Sequence, residues 1–282
     1  VPLIRRETLE TMLEQAGDNS LSVLTAELED PSGYGRIIRD AGGRLNGIVE
    51  QKDAAPEQLA IKEINTGFLA APAGLLRGWL NRLDNGNAQG EYYLTDVIAM
   101  AAADGVRVES ASAGDEFEIL GINDRVQLAA LERIYQRRQA EVLMRAGATL
   151  ADPARIDVRG TVETGQDCSI DVNVIFEGEV KLGSNVRIGP NCVIKNARIG
   201  DSVEVLANSV IEDARVGNDS RIGPFARLRP QSELDAGVHI GNFVEVKKSR
   251  ICTGSKVNHL SYIGDTHMGS GVNIGAATIT CN

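Results

Sequence analysis

Three histidines occur among the 282 residues: His239, His259 and His267. An imidazole titrates near neutrality, so each is a candidate to take up a proton during a reaction. A lone histidine is otherwise a solvated loop residue. His259 and His267 lie eight positions apart, the wrong spacing for equivalent points on one face of a coil, which argues against a three-histidine zinc site. Arg229 and Lys247 each follow a periodic aliphatic residue, Leu228 or Val246, by one position. A single cation so placed is ordinarily a solvated surface charge. Asn123, in Gly121-Ile122-Asn123-Asp124-Arg125, reads equally as a helix N-cap. Gly35 suits a tight turn and Glu50 a solvated strand end.

These residues sit in three kinds of sequence. Residues 1–124 read as mixed α/β. Leu21–Leu28 alternates like a strand, and Pro31-Ser32-Gly33-Tyr34-Gly35 is turn chemistry. Ile37-Ile38 and Ile48-Val49-Glu50 suggest strands joined by a hairpin at Ala41-Gly42-Gly43, and Thr95–Ala103 looks helical. Residues 125–147 form a linker: the stretch 125–146 lacks Gly and Pro and predicts a long helix. Leu128, Leu131, Tyr135 and Val142 would lie on one side of it, and Arg133, Arg137 and Glu141 on the other.

From 148 to 282 the pattern changes. Aliphatic residues recur in steps of six, with occasional fives, from Leu182 through Ile188, Ile194 and Ile199 to Ile263, Met268 and Ile274. Glycine follows many of them directly. Four residues on sits a small or β-branched residue such as Val186, Cys192, Ala226, Val238 or Val244. A period of six matches neither an amphipathic helix nor a simple alternating strand. It predicts a three-sided solenoid, each side a short strand and a corner, with coils of about 18 residues stacked at roughly 4.8 Å. The glycines are expected to serve the corners.

The net charge of −10 disfavours non-specific nucleic-acid binding, while leaving room for a small anion held by local cations. Cys168, Cys192, Cys252 and Cys281 form no C-x-x-C pair, as a reducing cytosol permits. No apolar run is long enough to span a membrane and no signal peptide is visible, so a soluble cytoplasmic protein is expected.

The six-residue repeat resembles that of the hexapeptide acyltransferases, whose parallel β-helix winds left-handed. Further stretches narrow the resemblance. Asp30-Pro31-Ser32-Gly33-Tyr34-Gly35-Arg36-Ile37, Gly47-Ile48-Val49-Glu50, Glu63-Ile64-Asn65-Thr66-Gly67 and Gln89-Gly90-Glu91-Tyr92-Tyr93-Leu94-Thr95-Asp96 resemble the later part of a Rossmann-like sugar nucleotidyltransferase domain. Ile222-Gly223-Pro224-Phe225-Ala226-Arg227-Leu228-Arg229-Pro230, Gly241-Asn242-Phe243-Val244-Glu245-Val246-Lys247-Lys248 and His259-Leu260-Ser261-Tyr262-Ile263-Gly264-Asp265 lie in the solenoid. Over essentially the whole chain the sequence is similar to the bacterial bifunctional family that joins N-acetylglucosamine-1-phosphate uridylyltransferase to glucosamine-1-phosphate N-acetyltransferase.

That resemblance implies acetyl transfer from acetyl-CoA to glucosamine 1-phosphate, then uridylyl transfer from UTP to N-acetylglucosamine 1-phosphate. It implies His259 as catalytic base, and Arg229, Lys247, Tyr262 and Asn273 as contacts to the acetyl acceptor. Ala276 and Asn282 match positions near acetyl-CoA. Gly35, Glu50, Asn65, Tyr93, Thr95 and Asn123 match the uridylyltransferase pocket, with Asn123 also a ligand to Mg2+. It further implies a homotrimer with an acetyl-transfer site between subunits. Ala277 departs from the glycine usual in the family. The family's nucleotide-binding loop and metal-binding aspartate would precede Val1, and more coils would follow Asn282. A piece of a longer chain is therefore expected, inactive in uridylyl transfer and weak or inactive in acetyl transfer. Two rivals are a nucleotidyltransferase whose β-helix only oligomerises and a purely structural scaffold. The combination of Arg229, Lys247 and His259 speaks against both.

Overall fold

A computed structural model describes residues 1–122 and 124–280; Asn123 and Asn282, both expected site residues, lie outside the described residues. The chain divides into two compact units, Val1–Leu131 and Glu132–Asn282.

The first unit is α/β. Helix α1 (Arg6–Gln15) is followed by strands β1 (Ser20–Glu27), β2 (Arg36–Arg39) and β3 (Leu45–Val49), and by the short α2 (Pro56–Leu59). Strand β4 (Glu63–Ala70), helices α3 (Ala73–Leu80) and α4 (Asp96–Ala103), and β5 (Arg107–Ser112) complete it. The sheet order is β3-β2-β4-β1-β5. Only β1/β5 is a parallel pair; β1/β4, β2/β4 and β2/β3 are antiparallel, the last being the expected hairpin. The alternation in β1 does not produce an exposed face. Leu21 and Val23 join a core with Trp79, Val97 and Ile98 on one side, while Leu24 and Ala26 pack with Met12 and Ile64 on the other. Because β1 is central and covered on both sides, its polar Ser22 and Thr25 are buried and find partners in Gln15 Oε1 (2.8 Å) and the Ala111 carbonyl (3.5 Å).

Helix α5 (Arg125–Arg145) is as long as the sequence predicts, but its buried residues match the expected stripe only in part. Leu131, Gln136, Ala140 and Leu143 are buried, whereas Leu128 and Val142 are exposed. The sequence stripe tracked apolar character, yet the inward face includes a glutamine. Gln136 bonds both backbone groups of Val158, accepting from its N–H (2.6 Å) and donating to its carbonyl (3.0 Å).

The second unit is a parallel β-solenoid, the left-handed β-helix of the hexapeptide repeat, with three aliphatic ladders. Ile170, Ile188, Val205, Ile222, Ile240 and Val257 stack on one face. Phe176, Ile194, Ile211, Leu228, Val246 and Ile263 stack on the next. Leu182, Ile199, Val216, Leu234, Ile251 and Met268 form the third. All are buried, each contributing about 1.5–3 kcal/mol by removal from water. The second inward position of each repeat is small, and several are serines. Ser232 Oγ, for example, donates to the Arg229 carbonyl at 2.6 Å, which lets a hydroxyl enter a dry interior.

Of the glycines that follow ladder residues, Gly223 is left-handed as a corner role requires, but others play a different part from the one expected. Gly183 and Gly241 are not left-handed. A Cβ on Gly241 would meet the Asn258 carbonyl oxygen at 1.9 Å, and one on Gly183 would meet the Asp201 amide nitrogen at 2.7 Å. They permit close stacking of coils. Most corners turn on left-handed residues, chiefly Asn and Asp, whose short polar side chains tolerate this conformation, and others on left-handed glycines such as Gly237, Gly254 and Gly271.

Candidate functional site

One corner of the solenoid changes character along its length. Its left-handed residues in successive coils are Asn173, Asn191 and Asn208, then Phe225, Phe243, Leu260 and Ala277. A left-handed L-residue other than Asn, Asp or Gly costs about 1–2 kcal/mol. The large side chains are moreover exposed: Phe225 by 49%, Phe243 by 56% and Leu260 by 61%. The two phenyl rings stack with centroids 5.3 Å apart. Strain and exposed apolar surface therefore coincide in the coils that carry the expected site residues.

His259 sits beside this ridge, at the end of the strand Lys256–His259 and immediately before Leu260. It is exposed, and its Nδ1 lies 2.9 Å from Asn242 Oδ1 on the preceding coil. Ala276 lies seventeen positions further on, and Asn273 is the register partner of Lys256. Asn258 Oδ1, on the residue before His259, is buried with no partner among the described residues. Sequence reasoning singled out neither Asn242 nor Asn258. His239, on the neighbouring strand, is held below the usual imidazole range by burial, then by the charges of Arg221, Lys256 and His259.

Around the corner, Arg227–Leu228, Glu245–Lys247 and Tyr262–Gly264 run side by side. Arg229 and Lys247 each stand one residue past the paired Leu228 and Val246. Earlier coils alternate charge at the equivalent position: Glu177 and Glu212 flank Lys195, and Lys195 bonds Glu212 at 3.7 Å. Arg229 followed by Lys247 breaks that alternation and places like charges on neighbouring rungs, which is unfavourable unless an anion joins them. Arg229 Nη1 donates to Glu245 Oε1 at 2.8 Å, and Glu245 is in turn the register partner of Tyr262. The structure thus brings Arg229, Lys247, Tyr262 and His259 onto one corner and its adjoining face over adjacent coils. Asn273 and Ala276 approach the same corner from the other face.

In the first unit, Gly35, Glu50, Asn65 and Thr95 converge. The Gly35 carbonyl accepts from Asn65 N–H at 2.8 Å, and Thr95 Oγ1 donates to Glu50 Oε1 at 3.0 Å. A Cβ on Gly35 would fall 2.9 Å from Ile48 Cγ2 and 3.3 Å from the Glu50 carboxylate, so glycine is needed for that approach. Asn65 and Thr95 line a cleft of about 120 Å³ with Val23, Ile48 and Ile98. Tyr93 is not among the residues lining that cleft, and its hydroxyl accepts from Gln89 Nε2 at 2.8 Å. Asp96 is pushed above the usual carboxylate range by burial and then by Asp84, Glu50 and Asp53, an acidic neighbourhood that sequence reasoning missed. Among the described residues no group of three or more His, Cys, Asp or Glu side chains could hold a metal ion. The Mg2+ expectation therefore finds no donor set in them, its named ligand Asn123 being outside the described residues.

The bacterial transferase hexapeptide (six repeats) family matches residues 161–196. The bifunctional protein GlmU of Methylococcus capsulatus is 62% identical over the whole chain, and that of Alkalilimnicola ehrlichii is 57% identical. Over its whole length the chain is similar to these two GlmU proteins. It spans 61% of the length of each of these two relatives. The acetyltransferase domain of PglB from Neisseria gonorrhoeae in complex with acetyl coenzyme A is 16% identical, covering 59% of this chain and 86% of that one. Its TM-score of 0.30 is too low to bear on GlmU chemistry.

Proposed function

We propose that the solenoid transfers an acetyl group from acetyl-CoA to glucosamine 1-phosphate. The observation that carries this is the neighbouring pair Arg229 and Lys247, which breaks the charge alternation of earlier coils on the face adjoining an exposed imidazole at His259. Arg229 supplies a bidentate fork and Lys247 a point charge for the phosphate dianion. Tyr262 and Asn273 would contact the sugar, and Ala276 and Asn282 the acetyl-CoA. The amine nitrogen attacks the thioester carbonyl as His259 removes its proton. A C–N bond forms, the C–S bond breaks, and the proton passes to the departing thiolate.

The first unit would contribute to the second reaction of a bifunctional enzyme, uridylyl transfer from UTP to N-acetylglucosamine 1-phosphate with release of pyrophosphate. Gly35, Glu50, Asn65 and Thr95 would hold the sugar at their cleft, with Tyr93 and Asn123 as further contacts. No metal-dependent step is assigned to the described residues.

The assembly is proposed to be a homotrimer. The exposed ridge of Phe225, Phe243 and Leu260 supports this, since a second copy would cover it beside His259 and complete the site. The described cysteines Cys168, Cys192 and Cys252 are free thiols, which supports a reducing cytoplasm as the location. Among the described residues no helix is long and apolar enough to cross a membrane.

The test is calorimetric titration of glucosamine 1-phosphate into the protein, with thiol release from acetyl-CoA followed in parallel. Binding that weakens in Arg229→Ala and Lys247→Ala supports the reading. Absence of sugar phosphate binding overturns it.

A further inference from the structure

We infer that Asn242 is a positioning residue that fixes the tautomer of His259, holding the proton on Nδ1 and leaving Nε2 as the bare nitrogen presented to the amine. The inference rests on the acetyl-transfer reading for its purpose, but its geometry stands by itself.

Asn242 and His259 are register partners on adjacent strands of the solenoid. The rung is made twice. Leu260 N–H donates to the Asn242 carbonyl at 3.1 Å, and His259 Nδ1 lies 2.9 Å from Asn242 Oδ1. The backbone bond fixes the origin of both side chains, so their contact is part of the coil stacking. In the preceding coils the equivalent positions are Ala207 and Pro224, neither of which has a side-chain acceptor. The acceptor appears only directly beneath the imidazole.

With Nδ1 turned toward Asn242, Nε2 is the nitrogen left for a ligand. To take up a proton it must be unprotonated, so the neutral ring must carry its hydrogen on Nδ1 and donate it to Oδ1. Solution imidazole favours the other tautomer, and a hydrogen-bond partner on Nδ1 reverses that choice. An amide does this without adding a charge beside the ring. The titratable groups that accompany the pair are His239 and Lys256 on the same face, and Glu245 and Tyr262 beyond the corner.

The experiment is ring nitrogen NMR on the 282-residue protein, with the three imidazoles assigned through His239→Gln and His267→Gln. Neutral His259 is expected as the Nδ1–H tautomer. Asn242→Ala should return it to predominantly Nε2–H while leaving His239 and His267 unchanged. The isosteric Asn242→Asp should keep Nδ1–H and raise the His259 pKa by about one unit. An Nε2–H tautomer in the unaltered protein, no tautomer change in Asn242→Ala, or no pKa rise in Asn242→Asp each overturns the inference. None of these readouts requires turnover. Acetyl transfer that persists in His259→Ala would instead sink the functional reading and leave the tautomer result intact.

Discussion

The Arg229 guanidinium donates to the Glu245 carboxylate across 2.8 Å, so a cation proposed to meet the sugar phosphate is already engaged by an anion. Incoming phosphate must share that guanidinium with Glu245. Replacing Glu245 with glutamine should tighten binding of glucosamine 1-phosphate by roughly 1.5- to 5-fold, the scale of a partly exposed ion pair. Arg229→Ala should weaken it by about tenfold or more. Calorimetry on both variants checks the two directions together.

His259 is proposed as the proton acceptor. In a chain extended to the length of its relatives, His259→Ala should lower acetyl-transfer turnover by about 10²- to 10⁴-fold, with little effect on sugar phosphate affinity. Thiol release from acetyl-CoA at saturating acceptor measures the first effect, and calorimetry the second.

The apolar ridge yields an assembly test that does not depend on activity. Lower coils carry Asn191 and Asn208 at the same corner, so Phe225→Asn and Phe243→Asn should relieve backbone strain while removing apolar surface. The double variant is expected to sediment as a monomer, and the unaltered protein as a homotrimer. A double variant that retains the assembly would show that the ridge faces something else.

Ala277 is left-handed, with φ of 62°. Ala277→Gly should therefore raise stability by about 0.5–1 kcal/mol, the conformational relief exceeding the added freedom of the unfolded chain. Denaturant melts of the pair measure this.

In the first unit, Glu63 is held below the ordinary carboxylate range by its bond to Arg39, against an upward push from burial. A lowered folded pKa means stability that is present above the unfolded value, about 4.3, and is lost as pH falls through the folded one. Glu63→Gln should flatten the acid side of the unit's stability profile. Thermal melts from pH 6 downward would reveal it.

The ladders were legible because inward aliphatics announce themselves by period alone. Leu228, Val246 and Ile263 lie where the count of six and five puts them. The Asn242–His259 contact was not legible, because neighbouring coils differ between 17 and 18 residues and only the realised register pairs those two positions. Phe225 and Phe243 were equally hidden: aromatic residues give no hint of a left-handed corner, whereas Asn173 and Asn191 do. Strand β1 alternates as read, yet the sequence did not disclose that Ser22 and Thr25 are buried and met by Gln15 and Ala111. Helix α5 misled through Gln136, a polar residue facing inward to the backbone of Val158.

The coils of the solenoid are joined only to their neighbours above and below, which gives the molecule an uncommon mechanical grain. Drawn out from one terminus, such a stack should yield like thread from a spool, each winding releasing about 60 Å of slack before the next bears load. A sawtooth of near-identical steps in a single-molecule pulling trace would be its signature, since among the described residues each winding pairs with the next.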